Sequence, residues 1–227
     1  EEPSSLDGIT KISDLEAITM GRDGLLYFLC SQSKSKAGKR PKKRQYLLKA
    51  KRNGRSISVI GSVALYSRLK AQLSQEDWMR LGLDDDLDVE GMAWWKDSLL
   101  FGLKSPLSKS GHATILQLRQ LDAIFDTSTE SEKTPIDLRV FTRLKLSTGP
   151  ERKAGGISEL LVAANRLYLL STAVDGPDSS AAWYLDLSDL KGPASLLARW
   201  PNLKAEGLSK TASKRVSVFL IVVRMPL

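Results

Sequence analysis

Four glutamates recur in four similar phrases: Asp14-Leu-Glu-Ala-Ile, Asp88-Val-Glu-Gly-Met, Ile157-Ser-Glu-Leu-Leu and Lys204-Ala-Glu-Gly-Leu. Carboxylates placed equivalently in a repeated unit can gather around a common axis, where their oxygens suit a hard cation such as Ca2+. Glu16, Glu90, Glu159 and Glu206 are therefore the candidate metal ligands. Without a cation, like charges that close would raise one another's pKa. The competing role is structural: each carboxylate accepts backbone N–H groups of the next unit and recurs because the unit recurs. Asp14 and Asp88 belong to the same question, but the third and fourth phrases lack them.

Other reactive groups are sparse. His112 is the single histidine, set in a Ser110-Gly-His-Ala turn, so a histidine-rich metal centre is excluded and a catalytic triad has one candidate base. Cys30 is the single cysteine, which excludes an intramolecular disulfide and leans the expected compartment toward the cytoplasm. No glycine-rich phosphate loop or zinc-type cysteine spacing is present. Hydrolysis, if this chain performs it, would rest on a glutamate-held divalent metal and its bound water acting on a lactone, phosphoester or ester.

Charge offers a third chemistry. The chain of 227 residues carries a formal net charge of +8, yet eleven Lys and Arg residues and no acid lie between Lys34 and Arg55. Without that segment 23 basic residues face 26 acidic ones, so the basicity belongs to residues 34–55. Lys39, Arg40, Lys42, Lys43 and Arg44 are the candidate phosphate or nucleic-acid contacts. Tyr46 is the one aromatic nearby, too little for base stacking, and a solvated loop is the plainer reading.

The elements that must position these groups follow from what trails each phrase. Polar turns such as Gly21-Arg-Asp-Gly24, Trp95-Lys-Asp97 and Ala164-Asn-Arg166 lead into Leu25–Cys30, Leu99–Lys104 and Leu167–Leu170, and the fourth unit continues into Val216–Val223. Each unit reads strand, turn, strand. Further strand-like runs at 45–50, 57–60, 113–118, 139–143, 182–187 and 195–200 complete four strands per unit, the blade of a β-propeller. The expected fold is all-β, with blades over about 14–64, 87–146 and 155–203 and a partial one over 204–227, within one domain spanning 1–227.

Spacings of 74, 69 and 47 residues between the glutamates exceed the blade length of about 40 to 50 in the first two units, which must carry insertions. One is predicted as helices over 65–81, from Leu65, Leu69 and Leu73 at helical spacing and Ser74 three residues before Asp77. The other is a polar loop over 127–135. Three blades and a fraction do not close a ring, and the chain starts without methionine, so a longer parent or a complementary partner is expected at an open blade edge. Val216–Val223 is the edge where such a segment would add.

Asp14-Leu-Glu-Ala-Ile, Glu90-Gly-Met-Ala, Gly102-Leu-Lys-Ser-Pro106, Gly156-Ile-Ser-Glu159 and Glu206-Gly-Leu together resemble a bacterial propeller family of unknown function, marked by Asp-Leu-Glu-Gly-Ile and Gly-Leu-Arg-Gly-Pro motifs. More distantly they are similar to phytase-like esterase and gluconolactonase propellers. The resemblance covers about Asp14 to Leu208 and implies that a blade-opening glutamate can face the channel and bind a divalent metal. It also marks Gln32, Lys104 and Ser158 as candidate ligand-binding positions, where the family tends to have histidine, arginine and arginine. Lysine forfeits arginine's planar two-pronged fork, so an anion held there in relatives would be held less well here.

With 42% hydrophobic residues the chain can bury a sizeable core, and no apolar run approaches the roughly 20 residues that span a bilayer. The function expected from these readings is a non-catalytic propeller module that binds a protein or small ligand. Metal-dependent hydrolysis and phosphate or nucleic-acid binding through residues 34–55 are the alternatives.

Overall fold

Tight turns convert the apolar runs into antiparallel ladders. At residues 95–98 the two central residues, Lys96 and Asp97, both take positive φ, as a two-residue hairpin demands of its turn. The computed structural model describes residues 12–126, 135–148, 153–174, 179–210 and 216–221. The loop expected over 127–135 lies almost wholly outside the described residues.

The first sheet runs β1 (Leu15–Met20), β2 (Leu26–Cys30), β3 (Tyr46–Asn53) and β4 (Ser56–Ala64), paired in sequence order. The second repeats the pattern with β5 (Asp88–Trp95), β6 (Ser98–Ser105), β7 (Ala113–Leu118) and β8 (Leu138–Leu144). A short β9 (Ser147–Thr148) edges the third sheet of β10 (Lys153–Ala163), β11 (Arg166–Ala173), β12 (Ser179–Asp186) and β13 (Ser195–Pro201). A final pair, β14 (Lys204–Lys210) and β15 (Val216–Ile221), forms the fourth. The architecture is all-β and antiparallel, propeller-like in its successive four-stranded meanders, with the third sheet extended to five strands by β9.

Sheets stack in sequence order. β1 packs on β5, β5 on β10 and β10 on β14, so the first strands of successive units lie against one another. The core between the first two sheets holds Tyr27, Leu29, Leu47, Met92, Phe101 and Leu116, and the core between the second and third holds Leu100, Ile115, Leu160, Leu169 and Trp183. β7 is buried along its whole length because both of its faces are covered. Leu116 and Leu118 point toward the first sheet, Ala113 and Ile115 toward the third, and the ladder shifts register between Ile115 and Leu116.

The helical insertion is present as α1 (Leu65–Gln72) and α2 (Gln75–Leu81), which bury Leu65, Leu69, Trp78 and Leu81 against the first core. Ser74 caps α2: its hydroxyl accepts the Asp77 N–H at 3.1 Å and donates to the Asp77 carboxylate at 2.7 Å. A third helix, α3 (Leu121–Phe125), follows β7 and was not anticipated from the sequence. Its five residues are too few for a periodic signal, and tertiary burial of Leu121, Ile124 and Phe125 forms it.

Close approach of the sheets depends on glycine at the seam. A Cβ on Gly156 would lie 2.0 Å from the Lys104 carbonyl oxygen, and one on Gly102 2.4 Å from the Ile157 side chain. Gly156→Ala should therefore push β10 away from β6 and cost about 3 kcal/mol or more. A thermal melt should show the midpoint falling by roughly 6 to 12 °C, and an unchanged midpoint would mean that the seam is loose.

Candidate functional site

Each unit opens with an irregularity in its first ladder. Leu15 stands opposite Cys30 and Ala17 opposite Leu29, which leaves Glu16 as an extra residue. Glu90 is left over in the same way between Val89 opposite Leu103 and Gly91 opposite Gly102. Glu206 is left over between Ala205 opposite Leu220 and Gly207 opposite Phe219. The repeated glutamate is thus a β-bulge residue, a position that re-aims a side chain out of the ladder.

The third unit departs from this rule. Ile157 stands opposite Ser171 and Glu159 opposite Leu170, so Ser158 is the bulge residue and Glu159 takes the place of Ala17, Gly91 and Gly207. The sequence alignment of Glu159 with Glu16, Glu90 and Glu206 is off by one position. Register, which flips faces with a single-residue slip, is not recorded in a five-letter phrase whose one glutamate matches the others by position alone. Ser158 donates to the Ala205 carbonyl at 3.4 Å and so ties the third sheet to β14.

Around the bulges a charged cluster forms. Lys104 Nζ lies 2.5 Å from Glu90 Oε1, and Lys204 pairs with Glu206. Burial, then the charges of Glu90, Asp14 and Asp88, push Glu16 up to about 7. Burial and Glu90 push Asp88 up to about 6, and burial raises Glu90 despite Lys104. For Lys204, burial works to lower the pKa, but Glu206, Glu90 and Glu16 outweigh it and the net direction is up. Glu16, Asp88, Glu90, Lys104, Lys204 and Glu206 therefore share one electrostatic neighbourhood.

Glu159 lies apart from that group. Its Oε1 accepts the Leu160 N–H at 2.8 Å, and burial pushes its pKa up to about 8. Asp88 and Lys204 are members of the charged cluster that the glutamate pattern alone underweighted. Lys204 could have been found, because it fills the position of Asp14 and Asp88 in the fourth unit.

Glu90 and Glu206 each already hold a lysine ammonium, and among the described residues no three His, Cys, Asp or Glu side chains converge as a metal-holding group. What the cluster can do is hold and exchange protons near neutral pH and hydrogen-bond a polar ligand. A cleft of about 570 Å³ opens next to it between the ends of the second and third units, lined by Asp84, Asp86, Ser105, Pro106, Leu107, Lys153 and Val174.

Gln32 is fully buried and spends its amide inside the fold: Nε2 donates to the Cys30 carbonyl at 2.7 Å and Oε1 accepts the Tyr66 N–H at 3.1 Å. It fastens the end of β2 to the start of α1. His112 Nδ1 lies 2.9 Å from Ser110 Oγ in an exposed turn. Cys30 is a buried free thiol whose pKa burial raises.

The basic segment is divided by β3. Residues 34–44 lie at the end where β2 leaves and β3 begins, whereas Lys51, Arg52 and Arg55 lie around the β3–β4 turn. Five residues of β3, 46–50, lie between Arg44 and Lys51, about 17 Å at the usual strand rise. They do not form one surface. Arg40 and Arg44 are engaged within the fold: Arg44 Nη1 is 2.9 Å from Asp14 Oδ2, and Arg40 donates to the carbonyls of Leu87 and Asp85 at 3.1 and 2.7 Å.

Removing Lys104 should expose what the cluster costs. Lys104→Met leaves Glu90 buried without its ammonium and should destabilise the protein by about 3 kcal/mol at pH 8, with much of the loss recovered at pH 5 and in the Lys104→Met/Glu90→Gln double variant. In the parent protein, Glu16, Asp88 and Glu159 have folded pKa values above their ordinary ones, so each stabilises fully below its ordinary value and loses that contribution as pH rises through about 7, 6 and 8 respectively. Melting temperature should fall between pH 5 and pH 8.5, and Glu16→Gln with Glu159→Gln should flatten that fall.

The chain matches no protein-family model and no curated protein. Among solved structures it is similar to Pseudomonas aeruginosa periplasmic gluconolactonase, PpgL, at 12% identity over 95% of this chain and 56% of that one, with a TM-score of 0.44. It is also similar to a bifunctional GH43-CE protein of Bacteroides eggerthii, at 11% identity over 97% of this chain and 32% of that one, with a TM-score of 0.35. The chain spans about half, or less, of the length of these solved chains.

Proposed function

We propose that this chain is a non-catalytic propeller module that docks a further β-sheet of a protein partner, or of a longer parent, on the open face of its first sheet. The observation that carries this reading is a set of cross-strand triplets. Met92, Phe101 and Leu116 are aligned across the second sheet and buried against the first, and Leu160, Leu169 and Trp183 are aligned across the third and buried against the second.

The equivalent triplet in the first sheet is Ile18, Phe28 and Leu48. Ile18 is 55% exposed, and Met20, in the place of Trp94 and Val162, is 64% exposed. Leu15 and Ile60 of the same sheet are exposed as well. Phe28 and Leu48 are buried within the first sheet's own cluster, so it is the β1 end of the row, Ile18 with Met20 beside it, that is covered in each later unit and bare in the first one, an apolar strip built to be covered. The charged cluster then serves as a polar seam between units, with each buried carboxyl protonated or paired.

Metal-assisted hydrolysis gains no comparable support, because the lysines take the cation's role beside Glu90 and Glu206.

The purified chain should bind an apolar-surface dye and self-associate as concentration rises. Ile18→Lys with Met20→Lys should abolish both while leaving the melting temperature within about 2 °C, since surface changes of this kind cost little. If the unsubstituted 227-residue chain stays monomeric at high concentration and binds no dye, the proposal fails.

A further inference from the structure

The second inference is independent of the sheet-docking reading and starts from how tertiary contacts sort the basic residues of the β2–β3 loop. Arg44 bonds Asp14, Ser33 Oγ at 3.1 Å and the Lys34 carbonyl at 3.0 Å. The Arg40 guanidinium stacks 3.8 Å from the Tyr66 ring centre while donating to the Leu87 and Asp85 carbonyls. Gln45 Nε2 holds the Arg40 carbonyl at 3.2 Å, and the Lys43 carbonyl accepts the Ser13 N–H at 3.1 Å. Lys34 faces Asp86 at 3.3 Å and Asp85 at 3.9 Å.

What these anchors leave over is uniform. Lys36, Lys39, Lys42 and Lys43 are exposed, and none of them makes an ion pair among the described residues. A turn closed by Ser35 and Lys39 presents the first two, and the 3-10 turn Lys42–Arg44 presents the others. The loop is thus a fixed platform of four ammonium groups, with its planar guanidinium forks turned inward.

We propose that Lys36, Lys39, Lys42 and Lys43 form a docking surface for the phosphodiester backbone of duplex nucleic acid. Four exposed ammonium groups without an ion-pair partner among the described residues complement a polyanion, and lysine binds phosphate as a point charge without needing arginine's fork. An amphipathic membrane anchor would call for large apolar side chains beside the cations to enter the headgroup layer, and residues 36–43 offer only Ala37 and Pro41. Contacts made by lysine alone carry no base readout, so the binding is independent of sequence. Asp84, Asp85 and Asp86 lie beside the platform, and Lys34 offsets the two nearest.

The test uses the full chain and a fluorescent 20-base-pair DNA duplex, titrated by anisotropy at rising salt from 25 mM. Four phosphate contacts give a slope of log K against log salt of about −3.6. Lys42→Gln with Lys43→Gln should bring the slope to about −1.8, whereas Lys51→Gln with Arg52→Gln and Arg55→Gln, at the far end of β3, should leave it unchanged. Circular dichroism melts check that each variant is folded. The proposal is overturned by no binding at 25 mM salt, by equal losses in the two variant sets, by an unchanged slope in the first, or by preference for phosphatidylserine vesicles over the duplex.

Discussion

Everything in this molecule depends on how closely the opening strand of one unit can approach the unit before it. At the seam between the second and third sheets, a Cβ on Gly91, Gly102 or Gly156 would meet the facing unit at 2.9, 2.4 and 2.0 Å. Only residues without side chains allow β10 to lie against β5 and β6 at that distance. The third unit has Gly156 where the first two have aspartate because the Lys104 backbone occupies the space a side chain would need.

The same closeness explains the charged cluster. A bulge in each opening strand turns one residue out of the ladder toward its neighbours, and in three units that residue is glutamate. Packed side by side and shielded from water, such carboxyls are stable only when protonated or when a cation reaches them. Lys104 and Lys204 reach them from the second and fourth units, which couples three units electrostatically, while burial and the neighbouring carboxylates raise the pKa of Glu16. The serine of the third unit avoids the problem altogether and spends its hydroxyl on a backbone carbonyl of β14.

Sorting by environment also governs the basic loop. Residues that are equivalent by composition become anchors or contacts according to what surrounds them. Arg40 and Arg44 find carbonyls, a carboxylate and an aromatic face within reach, and their five-donor groups satisfy several of these at once. The lysines between them find none and stay in water.

By itself the sequence determined the repeat, the all-β antiparallel class, the strand positions and the two-helix insertion with its Ser74 cap, because alternation, turn residues and capping are local signals carried by neighbouring residues. It also pointed to Glu16, Glu90 and Glu206 as one set. Tertiary structure alone decided that Ser158 and not Glu159 completes that set, that Gln32 is consumed within the fold, that lysines answer the glutamates, and that residues 34–44 and 51–55 face opposite ends of a strand. Each of these turns on ladder register or on which distant groups come within bonding distance, and neither quantity is stored in the local spacing of residue types.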